Sequence, residues 1–296
     1  VTFYLIPKLN YHKPRSLDEA LKLLNELEDA KVIAGGTDLI VDIKTGGIKP
    51  PKNLVDITFI DELKHIHVDS KSIRIGAATT LQEILESNVL KEQIPVLVEA
   101  VSSMGSWHLR NMATIGGNLC NASPAADTAP PLLVLNAEVK LNSVDGERTV
   151  PLMKFFTGPK QTVLKPNELM TEIIIPKPPE NSGMKFIKLG RRNAHTLSIV
   201  AVAALVKVED ERFGDVRIAL NAVAPTPIRA LKTEKALIGE NVSIEVIEEK
   251  VKLVAEEVNP ITDVRASAEY RREMSVVLTR DAIIESLKNL GFKLEV

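Results

Sequence analysis

Apolar residues recur at two spacings along the chain, and the changes between them lay out its elements. In SLDEALKLLNEL (residues 16–27), Leu17, Ala20, Leu21, Leu24 and Leu27 recur every three or four positions, the stripe of an amphipathic helix. Ser16 stands where a cap belongs, and Glu19 follows at capping-box spacing. Residues 31–34 and 53–57 read as short strands on either side of TDLIVDIKTG, a short helix or turn-rich passage. The opening stretch, 1–57, is therefore read as a small α/β unit. Residues 72–76 form the next strand and lead into a helix over 81–85, with Thr80 as cap and Glu83 three residues on. Residues 94–101 are helical, 137–141 and 172–175 are strands, and Asp145–Gly146 is a hairpin turn.

The run PKPPENSG (176–183) is the best linker, because proline and glycine density rises there. After it come three strands, at 184–189, 198–208 and 216–223. The middle one is apolar throughout from Ala201 to Val206, and Phe213–Gly214 is placed in the turn that follows it. Residues 226–237 and 244–258 are helical. So are 268–290, where Thr279 marks a break. The resulting division is 1–57, 58–176 and 177–296.

Composition narrows the function classes. The 296 residues are 45% hydrophobic and 26% charged, the balance of an ordinary globular chain. A formal net charge of −2 offers no bulk basic character for nucleic acid. One cysteine, Cys120, cannot make an internal disulfide or hold an iron–sulfur cluster alone. The N-terminal run has no basic segment ahead of a long apolar core, so no signal peptide is expected. No run reaches the length of about 18 apolar residues that a membrane span needs. A cytoplasmic location is the default.

Two glycine doublets carry the chemistry. One lies in AGGTDL, the other in TIGGNLCNASPAADTAP. Glycine allows close backbone approach and positive φ, and peptide N–H groups bind a pyrophosphate without adding bulk. Gly35 and Gly36 supply one such turn, with Thr37 and Asp38 beside it; Gly116 and Gly117 repeat the device with Asn118. Ser123 and Asp127 follow in a loop able to return to the same ligand. Either doublet alone also fits an ordinary turn. The three-glycine dinucleotide fingerprint and the phosphate loop ending in Gly-Lys-Ser/Thr are both absent. The residues thus leave open a nucleotide cradle or a pair of structural turns.

At the level of motifs the chain resembles the FAD-binding medium subunits of the molybdenum hydroxylases, relatives of xanthine dehydrogenase and carbon monoxide dehydrogenase. YHKPRSLDEALKLL, AGGTDL, GSWHLRNMATIGGNLCNASPAADTAPPLL, FIKLGRR, LNAVAPTPIRALKTEKAL and DVRASAEYRREM carry the resemblance over nearly the full length. It implies an α+β chain with the vanillyl-alcohol-oxidase/PCMH-type FAD-binding fold. Two α/β subdomains would hold FAD, and a C-terminal three-stranded antiparallel sheet with helices would close over one side. It further implies that Lys31, Val32, Ile33, Ala34, Gly35, Gly36, Thr37, Asp38 and Leu39 wrap the pyrophosphate and adenosine. Ala113, Thr114, Gly117 and Asn118 form the second pyrophosphate arm, and Met104 and Gly105 lie toward the adenine. Asn121 would sit near the flavin-side phosphate or ribityl chain, Asp127 would bond a cofactor hydroxyl, and Leu169 and Lys188 would lie near the isoalloxazine edge. Cys120 falls in the second arm as a small packed residue. The implied partners are a molybdopterin-containing large subunit and a [2Fe–2S] small subunit, as a heterotrimer or a dimer of heterotrimers. Electrons would pass from the iron–sulfur partner to FAD and on to an external acceptor such as NAD or a quinone. A free-standing FAD-dependent oxidoreductase of the same superfamily and a cofactor-free scaffold are the competing accounts. A lone cysteine excludes the relatives with an extra iron–sulfur cluster in this subunit.

Other residues stay open. His65 and His67 would share a strand face, but no third metal ligand is near. Trp107 and His108 fit a place beside the flavin, surface packing or a subunit contact. Arg191 and Arg192, just before His195, fit a solvated run, steering of an anionic acceptor, or contact with the iron–sulfur partner. Arg265, Arg271 and Arg272, with Glu269 and Glu273 among them, read as surface salt bridges or an interface. Tyr270 is read as packing or an interface anchor.

Overall fold

Three larger sheets, a two-stranded one and the helices between them organise the chain, for which the computed structural model describes residues 8–293. The first sheet is parallel: Asn10–His12 and Ala30–Ile33 flank Asn53–Asp56. Parallel neighbours need a crossover: Leu39–Thr45 lies in the one between Ala30–Ile33 and Asn53–Asp56, and the helix Leu17–Glu26 joins the two outer strands. Its Ala20, Leu21 and Leu24 are buried against Val55, Ile57 and Leu63. The Ser16 hydroxyl accepts from the Glu19 amide, but the Glu19 carboxylate takes the Arg15 amide rather than that of Ser16. The helix Leu81–Glu86 has the complete reciprocal box between Thr80 and Glu83.

The second sheet has five antiparallel strands in the order Ile66–Val68, Ser72–Gly76, Leu169–Pro176, Glu138–Ser143, Gly146–Pro151. Ile73, Ile75, Val139 and Ile173 point into a core shared with Leu97, Ile115 and Leu132 from the helices. Val144 and Asp145 make the hairpin turn, one residue before the predicted position.

The third sheet is antiparallel, in the order Ser182–Leu189, Val200–Glu209, Arg212–Asn221, Ile228–Arg229. It has four strands where three are expected. The fourth is two residues long and follows Pro225 and Pro227, too short to leave a periodic signal. Both faces are covered, which is why 201–206 is apolar throughout. Val200, Val202, Ala204 and Val206 join the core under the helix Ala268–Asn289. Ala201, Ala203, Leu205 and Ala219 join the core of the second sheet and its helices Pro95–Ser102 and Ala129–Val134.

Several expectations are corrected. Phe213 and Gly214 lie inside a strand, Phe213 being fully buried; Asp210 and Glu211, both at positive φ, make the turn. The helix placed at 226–237 begins only at Leu231, and 244–258 divides into Ile244–Lys250, a tight turn, and Val254–Glu257. Ala268–Asn289 runs unbroken through Thr279, whose burial against the sheet outweighs the weak helix propensity of a β-branched residue. The second glycine doublet is not a plain turn, and the segment 105–121 around it is largely helical. That segment holds the helices Trp107–Met112 and Ile115–Asn121, the second containing Gly116 and Gly117.

Candidate functional site

The two glycine runs meet. A Cβ on Gly35 would lie 1.8 Å from the carbonyl oxygen of Met112, so only glycine lets the first run reach the second. A Cβ on Gly116 would lie 2.6 Å from the Ala77 oxygen, and the Gly116 amide donates to that same oxygen at 2.9 Å. This contact explains the first glycine of the pair inside a helix. The helix is capped by Thr114, whose hydroxyl accepts from the Gly117 amide at 3.1 Å. A Cβ on Gly117 would touch that hydroxyl at 2.8 Å and otherwise enter open space. Gly36 holds φ +67, the left-handed turn that brings the chain into the helix Leu39–Thr45.

Between the runs lies a cavity of about 690 Å³, within the usual range for small-molecule and cofactor sites. Every residue that the resemblance implies for FAD lines it, from Lys31–Leu39 through Met104, Gly105, Ala113, Thr114, Gly117, Asn118, Cys120, Asn121 and Asp127 to Leu169 and Lys188. Its polar lining is backbone, hydroxyl, amide and cationic, together with the carboxylates of Asp38, Asp42 and Asp127. Its apolar lining includes Ile33, Leu39, Leu109, Leu164 and Met170. That mixture fits a long ligand with a phosphate middle and flat, largely apolar rings.

The far wall is a buried polar knot. Lys188 Nζ donates to Asp127 Oδ2 at 2.7 Å, with the two side chains only 7% and 6% exposed. Ser198 Oγ and Asn221 Nδ2 donate to Asp127 Oδ1 at 2.5 and 2.9 Å. Lys188 also reaches the Ser103 carbonyl at 3.3 Å. The third sheet, which carries Lys188 and Asn221, is thereby tied to the loop after the second glycine run. Nearby, Asn118 Oδ1 accepts from the Thr128 hydroxyl at 2.6 Å. Burial pushes the Cys120 thiol up to about 12, only partly opposed by Lys31.

Lys160 has no counterpart among the sequence expectations. It sits in the turn between Phe156–Gly158 and Gln161–Thr162, and its Nζ reaches Asn121 Oδ1 at 2.7 Å and Asp42 Oδ2 at 3.3 Å. It joins the helix that follows the first glycine run to the helix that contains the second. A solitary lysine in a turn gives no sequence signal. Asp42, Thr196 and Leu197 are likewise lining residues without a motif.

The remaining candidates separate. His195 lines the cavity at positive φ. Arg192 bends back onto the carbonyls of Ala194 and His195, and Arg191 reaches the Val264 carbonyl at 3.4 Å. Trp107 and His108 are exposed and stack edge to face. His65 bonds Glu172 and the Glu62 carbonyl, and no cluster of three potential metal ligands exists among the described residues. Arg271 contradicts its surface reading: it is buried, donating to the carbonyls of Ile199 and Ala222 and to Asp263. No helix among the described residues is long and apolar enough to cross a membrane.

Comparison with known proteins agrees with this arrangement. The family model described as the FAD binding domain in molybdopterin dehydrogenase matches residues 7–178, and that of the CO dehydrogenase flavoprotein C-terminal domain matches 185–286. The chain is 32% identical to the xanthine dehydrogenase FAD-binding subunit of Escherichia coli O157:H7, over 97% of this chain and 98% of that one. It is 34% identical to the glyceraldehyde dehydrogenase medium chain of Sulfolobus acidocaldarius, over 94% and 98%. Among solved structures, carbon monoxide dehydrogenase from Hydrogenophaga pseudoflava, in a form lacking the Mo-pyranopterin moiety of its molybdenum cofactor, superposes with a TM-score of 0.93. There the identity is 31%, covering 96% of this chain and 99% of that chain.

Proposed function

The chain belongs to the FAD-binding subunit family of the molybdopterin dehydrogenases, and from that premise we propose that it is the electron-transfer flavoprotein of a three-subunit molybdenum hydroxylase. In this reading electrons arrive from a [2Fe–2S] partner and leave to an external acceptor such as NAD or a quinone. A molybdopterin-containing partner oxidises the organic substrate. The single cavity in which both glycine runs converge is the observation that carries the proposal.

The residues present fit FAD. Lys31 to Leu39 and Ala113 to Asn118 form the two phosphate-facing arms, with Asn121 and Lys160 at their junction. Met104 and Gly105 lie toward the adenine, and Leu169 and Lys188 toward the flavin ring. Asp127 faces the cofactor from the knot that joins the third sheet to the second arm. The group supplies one- and two-electron redox chemistry. The chain's own part is to hold it, orient it, and limit water along the apolar lining. The three sheets support a division into 1–57, 58–176 and 177–296, whose outermost residues, 1–7 and 294–296, lie outside the described residues.

The relatives include subunits named for xanthine, glyceraldehyde, carbon monoxide and nicotinate, so the organic substrate belongs to the molybdenum partner's pocket. The test is an absorbance spectrum of the purified chain after incubation with FAD and removal of unbound ligand, with mass identification of what stays. Stoichiometric FAD, then reduced by the purified iron–sulfur partner, is the expected result. FAD that the partner cannot reduce would support a free-standing oxidoreductase instead.

A further inference from the structure

Arg271 lies in the first turn of the helix Ala268–Asn289 and is 3% exposed. One guanidinium nitrogen donates to two carbonyls, Ile199 at 2.7 Å and Ala222 at 2.9 Å. The other terminal nitrogen donates to Asp263 Oδ1 at 2.8 Å. The two carbonyl residues directly follow Ser198 and Asn221, the side chains that donate to Asp127. Ala222 also holds φ +61, a left-handed backbone that alanine seldom adopts and that survives only when its surroundings over-determine it. Its amide donates to the Pro124 carbonyl at 2.7 Å. The cavity loop therefore holds Ala222 on one side and Arg271 holds it on the other.

We infer that Arg271 is a positioning residue for the FAD cavity: by gripping Ile199 and Ala222 it keeps Ser198 and Asn221 aimed at Asp127 and fixes the Asp127–Lys188 pair in the cavity wall. The inference rests on the FAD-binding reading above. A planar guanidinium can bridge two carbonyls and a carboxylate in fixed directions, which an ammonium cannot. Asp263 anchors the far end. Burial works against its ionisation, but hydrogen bonds from the Arg265 and Ala266 amides and from the Arg271 and Arg265 side chains hold its carboxyl well below the usual range.

A double-mutant cycle on the full chain tests this. The parent, Arg271→Lys, Asp127→Asn and the double variant are loaded with FAD. FAD dissociation is followed by flavin fluorescence, the flavin midpoint potential by redox titration, and Tm without FAD reports on the fold. Arg271→Lys is expected to weaken FAD binding about tenfold and to shift the potential in the parent, with no further effect once Asp127→Asn is present. Equal effects in both backgrounds, or a change confined to Tm, would overturn the inference. Asp263→Asn, which leaves the guanidinium in place without its anchor, serves if Arg271→Lys does not fold. It should show the same coupling at smaller size, and additivity there also overturns the inference. A parent that retains no FAD defeats the FAD-binding reading and this inference with it. A parent that retains FAD while its cycle is additive defeats the inference alone.

Discussion

Gly35 and Met112 stand so close that a single carbon added to Gly35 would fall 1.8 Å from the Met112 carbonyl oxygen. The first glycine run thus serves the join between two segments as well as any ligand. Gly35→Ala should destabilise the FAD-free protein by the ~1–3 kcal/mol typical of overpacking, seen as a lower Tm, and FAD retention should fall with it. Thermal unfolding of FAD-free protein checks this; an unchanged Tm would mean that the two runs are not held in contact.

Gly117 predicts the opposite division. Its added carbon would disturb only the Thr114 cap, worth about 1 kcal/mol, and alanine's better helix propensity returns a similar amount. Gly117→Val, larger than alanine, should crowd the cavity and abolish FAD retention while Tm without FAD moves little. FAD occupancy equal to the parent's would remove Gly117 from the phosphate-facing arm.

Asp127→Ala leaves the Lys188 ammonium buried without its partner. Breaking a buried pair from one side costs about 3–5 kcal/mol, so denaturant unfolding should shift by that order. FAD retention should drop as well. A loss below about 1 kcal/mol would show that water reaches Lys188 and that the wall is not sealed.

Cys120 should be inert in the native protein. With its thiol held near 12, almost no thiolate exists at neutral pH, and the thiolate is the nucleophile. Because the folded value lies above the unfolded one, the stabilisation is complete below the unfolded value and is lost as pH rises through the folded one. Alkylation at pH 8 should be slow before unfolding and fast after it. Rapid native labelling would contradict the raised thiol.

Asp263 governs the acid side. Its folded value is depressed, so its contribution is present above the ordinary carboxylate range and is lost as pH falls below about 4. Asp263→Asn should therefore be less stable than the parent at neutral pH and should converge with it in acid. Parallel stability curves down to low pH would refute this.

The sequence was most legible where a local signal matched a local cause. Ser72–Gly76 and the Thr80–Glu83 box stand where the periodicity and the cap spacing put them. The cavity residues were legible through the glycine runs and their resemblance. Legibility failed where tertiary contact reverses a local rule. Gly116 and Gly117 read as a turn, but both lie in a helix, where the close approach to Ala77 makes glycine necessary at Gly116. Arg271 sits in a mixed charge run that resembles a surface, and only the fold shows the two carbonyls and the carboxylate waiting for it. Lys160 closes a junction between helices far apart in sequence, so no spacing could announce it.

The third sheet meets the helices Pro95–Ser102 and Ala129–Val134 through three small side chains, Ala201, Ala203 and Ala219, and three large ones, Met184, Phe186 and Leu205. In such a seam the large side chains supply the relief and the alanines leave the room that the helices fill. Exchanging residues 177–296 between relatives would transplant half of that seam. A hybrid would succeed or fail on how the bulk at those six positions matches the helices it meets, even with every glycine of the cradle intact.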